Sequence, residues 1–94
     1  MATLSGKLAT LAQRYEIRAQ ELAQCPKART AYTEGASTLR HWLTTGRLTR
    51  RTIAEYVGAT FPTLCSIGTA MGATEAVAVY RLVQRDVLDI CEKR

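Results

Sequence analysis

Thr49-Arg50-Arg51-Thr52-Ile53-Ala54-Glu55-Tyr56-Val57-Gly58-Ala59-Thr60-Phe61-Pro62-Thr63-Leu64-Cys65-Ser66-Ile67 is the stretch whose reading decides the fold. Its local chemistry predicts two short helices, residues 50 to 57 and 61 to 70, joined by a turn of about three or four residues at Gly58. Thr49 suits the cap of the first helix and Thr60 that of the second, because a threonine hydroxyl accepts a hydrogen bond from an otherwise unpaired first-turn amide. Gly58 sits where the first helix would leave the right-handed region, which glycine does freely. Pro62 falls in the first turn of the second helix, where a missing amide hydrogen costs nothing. Ile53, Val57, Leu64 and Ile67 then point into the angle between the helices, and Ala54 is small where they cross.

Outward from this stretch the helical period continues. Leu4, Leu8, Leu11, Tyr15 and Leu22 form one stripe over Leu4 to Gln24, interrupted by Arg18. Pro26 ends that helix and opens the next from its first turn. The second helix, residues 27 to 44, buries Ala28, Ala31, Tyr32, Gly35, Leu39, Trp42 and Leu43. Gly35 costs about 1 kcal/mol of helix propensity, so it marks a close crossing. Gly46 stops the helix, and Arg47-Leu48 is a connector. Beyond Gly72, Thr74 caps a last helix running towards Cys91. Its β-branched residues also suit a strand, but Ala76, Val79 or Tyr80, Val83, Val87 and Ile90 recur at three and four, not at two. His41 is expected on the surface and Trp42 in the core.

The chain has 94 residues, 47% of them hydrophobic and 22% charged. That is enough for one domain with one modest core, residues 1 to 94, and argues against disorder. The expected fold is all-α: a compact bundle of about five helices containing a helix-turn-helix at 49 to 70. No run of about 18 apolar residues suits a membrane span, and Met1 to Gly6 lacks the pattern of a secretory signal, so a cytoplasmic protein is expected. Cys25, Cys65 and Cys91 are odd in number and widely spaced, which suits reduced structural thiols.

The residues from Thr49 to Ile67 resemble the helix-turn-helix of Cro/repressor-type regulators and of small regulators from phages and mobile elements, whose first helix commonly reads leucine-Thr-Arg-x-x-Ile-Ala-Glu. The resemblance covers about 20 residues and implies a regulator that docks in the major groove of double-stranded DNA. By position it makes Ile53, Ala54, Val57, Gly58, Leu64 and Ile67 scaffold. Arg50, Arg51, Thr60, Phe61, Thr63, Cys65, Ser66 and Thr69 become surface candidates for DNA, joined by the basic Arg47. The net charge of +5 agrees, and no acidic residue occurs from Gly35 to Ala54, where Arg40, His41, Arg47, Arg50 and Arg51 fall. The second helix offers no Arg, Asn or Gln for bidentate base contacts, which makes a weak reading head.

Such regulators usually act as twofold dimers, so a homodimer is expected, with residues 1 to 25 and 74 to 94 as oligomerisation helices. The alternative is a small interaction module, an inhibitor or adaptor gripping a protein with the same corner; a DNA-packaging or recombination accessory lies between. One histidine, scattered cysteines and no spaced carboxylate pair assemble no catalytic or metal site. Neither catalysis nor a cofactor is expected.

Overall fold

The computed structural model describes residues 3 to 44 and 48 to 92. They form four α-helices: α1 (Leu4–Glu21), α2 (Pro26–Leu43), α3 (Arg50–Ala70) and α4 (Thr74–Glu92). α1 packs along α2 and α3 along α4, and α4 joins the two hairpins by lying against α2. None of these helices is long and apolar enough to cross a membrane.

The outer three helices follow their stripes. Thr3 caps α1 by accepting from the Gly6 amide, and Leu8, Leu11, Tyr15 and Ala19 carry its buried face past Arg18. Pro26 is the first residue of α2, as its fixed φ favours. Ala31, Gly35, Ala36, Leu39 and Trp42 face inward there, and His41 is exposed. At Gly35 an added Cβ would lie 3.2 Å from Val83 Cγ2, so the glycine does mark a close approach, between α2 and α4. The expected stop at Gly46 lies outside the described residues. Val83 and Val87 of α4 are fully buried within this chain, so the stripe assigned to oligomerisation is already covered by the chain's own core.

The inner stretch differs from its sequence reading. Residues 50 to 70 are one continuous helix, which makes four helices instead of about five and removes the turn expected at Gly58. Thr49 caps α3 in a reciprocal box with Thr52, but Thr60 lies inside the helix and caps nothing. Continuity follows from burial. Ile53, Val57, Phe61 and Gly68 are buried with Leu64 partly so, a stripe spaced by four, four, three and four that a turn at Gly58 would break. Phe61 is fully buried and packs edge-on against Trp42, ring centroids 6.2 Å apart. Pro62 has no amide hydrogen to bond the Gly58 carbonyl. Both residues are exposed, and an added Cβ on Gly58 would meet nothing within 4 Å, so the gap in the ladder faces water on the outer side of α3.

The turn into α4 is where glycine conformation matters. Gly72 has φ of 70°, and the Ala73 amide donates to the Gly68 carbonyl while the Gly72 amide donates to that of Thr69. This pair of bonds closes the carboxyl end of α3 and reverses the chain. Thr74 is the first residue of α4, not its cap.

Candidate docking groove

Open apolar side chains gather at the carboxyl end of α3. Leu64, Ile67 and Met71 rim a groove of about 490 Å³, bounded by Pro26 at the start of α2, by Ala73, and by Tyr80 of α4. Ile67 is 51% exposed and Met71 74%. The remaining large exposed apolar residue among those described, Ile17, stands on α1 away from this site, so the open apolar surface is concentrated here. Beneath the groove α3 and α4 come very close: a Cβ on Gly68 would sit 2.8 Å from Val77 Cγ2.

Two charged side chains line the groove, Lys27 and Glu34, both on α2. The Tyr80 hydroxyl donates to Glu34 Oε2 at 2.5 Å, tying the wall to the floor. Burial first, then this bond and the carboxylate's charge, push the Tyr80 hydroxyl well above the ordinary tyrosine pKa. A similar bond, Tyr15 to Asp86 Oδ2 at 2.8 Å, links α1 to α4. Lys27 makes no ion pair among the described residues. α2 has no acidic residue in its first turn, and Cys25 gives it no side-chain cap, so the positive end of this helix is not offset locally.

The residues put forward for DNA divide. Arg50 and Arg51 are exposed at the amino end of α3, and Arg51 Nε lies 3.4 Å from Glu55 Oε1. Thr63, Ser66 and Thr69 are exposed too, but as part of one long helix and not as the head of a second one; Thr63 and Thr69 donate to the Ala59 and Cys65 carbonyls behind them. Thr60 and Cys65 are half-buried. Phe61 is core, because the uninterrupted helix turns it under Trp42. Arg47 lies outside the described residues. Of the scaffold candidates, Ile53 and Val57 are buried, Leu64 is partly so, and Ala54, Gly58 and Ile67 are exposed, since no second helix crosses there. Arg40, from the acid-free window, makes a bidentate pair with Glu16 at 2.6 and 2.7 Å, which holds the Glu16 carboxyl below its ordinary pKa.

The sequence reading does not reach the groove, because a turn at Gly58 points Ile67 into an interhelical angle and leaves Met71 beyond the motif. A signal was present: Leu64, Ile67 and Met71 repeat at three and four, which carries the stripe of Ile53, Val57 and Phe61 on past the core. Cys25 is exposed, Cys65 intermediate and Cys91 buried, all three as free thiols; burial pushes the Cys91 thiol up. Among the described residues, no three His, Cys, Asp or Glu side chains gather in a way that could hold a metal ion. Comparison with known protein families, with curated proteins and with solved structures finds no match for this chain.

Proposed function

We propose that this protein is a small helical interaction module that holds a segment of another protein in the groove between α2, α3 and α4. The observation that carries the reading is the pairing of two of the most exposed large apolar side chains, Ile67 and Met71, over a groove of about 490 Å³. Exposed apolar side chains gathered around a concavity are the mark of an interaction surface, and methionine's flexible thioether adapts to varied partner surfaces. Titrating the isotope-labelled chain with a panel of amphipathic helical peptides tests this. Amide shifts confined to the groove lining, Lys27, Thr30 and Glu34 of α2 with Leu64, Ile67, Met71, Ala73 and Tyr80, are expected; shifts elsewhere, or none at millimolar peptide, contradict it.

A second reading, contact with double-stranded DNA by a regulator or accessory, draws on the exposed Arg50 and Arg51 and on the net charge of +5. With α3 a single rod, such contact rests on phosphates instead of a reading head in the major groove. A salt series of binding to random duplex distinguishes the readings. Affinity that falls steeply with salt and drops in the Arg50→Ala, Arg51→Ala double variant supports DNA; no binding near 50 mM salt at micromolar protein leaves the interaction module.

A further inference from the structure

The groove has a charge polarity, and from it we infer that its occupant is an amphipathic helix of another protein, with apolar side chains entering the groove and acidic residues at the end lying over Lys27. This rests on the interaction reading above. The α3 wall runs from Leu64 to Met71, a rise of about 10 Å, or two helical turns. A partner helix therefore meets it with three anchors, at i, i+3 or i+4, and i+7.

Lys27 and Glu34 stand seven residues apart on α2, so the groove carries a positive charge at one end and a negative one about 10 Å away. Their surroundings are unequal. Glu34 accepts the Tyr80 hydroxyl, which disperses its charge. Lys27 has no carboxylate partner among the described residues, and it sits on the first turn of α2, whose own positive end adds to the field. The open electrostatic demand is for negative charge at that end.

A second copy of this chain fits less well. Each copy carries +5, so two repel at long range. Three partly open apolar side chains also fall far short of the roughly 800 Å² per partner that a standard interface between folded surfaces buries. A lone helix laid along the groove can insert side chains that meet the α2 and α3 lining together.

The test uses the full chain and two synthetic helical peptides of about sixteen residues, long enough to hold some helix in water. Both present Leu at i, i+3 and i+7; one carries three Glu at one end, the other three Lys in the same places. The acidic peptide should bind about three- to tenfold tighter than the basic one, and Lys27→Glu should reverse that order. Ile67→Asp should weaken both at least about tenfold. Ile67 is 51% exposed and Met71 74%, so a normal thermal melt is expected for Ile67→Asp, with Met71→Asp as the second variant. Equal affinity for the two peptides, unmoved by Lys27→Glu, overturns the polarity while the interaction reading stands. No binding of either peptide at millimolar concentration overturns both. A dimer in sedimentation equilibrium that Ile67→Asp dissociates gives the groove to a second copy and overturns the inference.

Discussion

From Ile53 to Phe61, α3 turns its apolar residues into a core closed by Trp42; from Leu64 to Met71 it turns them towards a groove that water reaches. Ile53 and Phe61 are 0% exposed, whereas Ile67 is 51% exposed, on the same helix. The contrast separates two uses of one amphipathic pattern. In the first half the stripe holds the bundle together, and a loss there is a loss of stability. In the second half the helix is fixed by Gly68 against Val77, which frees the residues beside it from packing. A loss at Ile67 or Met71 should then be felt in binding and not in folding.

The largest effect should come from the closed half. Phe61→Ala removes a fully buried ring from contact with Trp42 and should cost about 3 to 5 kcal/mol in denaturant unfolding. A cost below about 1 kcal/mol would place Phe61 on the surface, where the helix-turn-helix reading had it. Gly68→Ala comes next. Its Cβ would stand 2.8 Å from Val77 Cγ2, and a branched side chain on a packed helix has little room to retreat. Overpacking of about 1 to 3 kcal/mol should outweigh the roughly 1 kcal/mol gained in helix propensity. Adding Val77→Ala should recover part of the loss; if Gly68→Ala is neutral by itself, the crossing is looser than described.

A pH experiment separates the tie across the groove from the core. Burial and the bond to Glu34 raise the Tyr80 pKa in the folded state, so its contribution is complete below the unfolded value of about 10 and is withdrawn as pH rises beyond that. Tyr15, raised by burial and by Asp86, acts in the same direction. Stability should fall from about pH 10 upward, and Tyr80→Phe should flatten that fall while costing about 1 kcal/mol at neutral pH for the lost hydrogen bond. An unchanged alkaline slope in the variant would mean that Tyr80 does not titrate against the fold.

Three helices were legible because their apolar period persists through the signals against it, Arg18 in α1, Gly35 in α2 and the β-branched residues of α4. Leu8, Leu11 and Tyr15, then Ala31, Leu39 and Trp42, then Val79, Val83 and Val87 all lie where a 3.6-residue repeat puts them. α3 departs from its sequence reading because Gly58, Thr60 and Pro62 are three breaking signals within five residues, each with a sound local meaning as turn, cap and first-turn proline. Propensity is a weak preference that burial overrides: Ile53, Val57 and Phe61 each bury a side chain worth about 1.5 to 3 kcal/mol, enough together to offset an interior glycine and proline. The same three signals mask the groove. With a turn at Gly58, Ile67 faces inward; with a straight helix, it faces the cleft beside Met71.

The continuity of α3 is the claim on which both halves depend, and Gly58→Ala tests it at one exposed atom. In an uninterrupted helix with nothing within 4 Å of the new Cβ, alanine should stabilise the protein by about 0.5 to 1 kcal/mol in denaturant unfolding, with helix content unchanged or slightly raised. A turn with a left-handed residue at position 58 gives the opposite sign. A loss of about 1 kcal/mol or more would contradict the single helix and return residues 49 to 70 to two helices joined at Gly58.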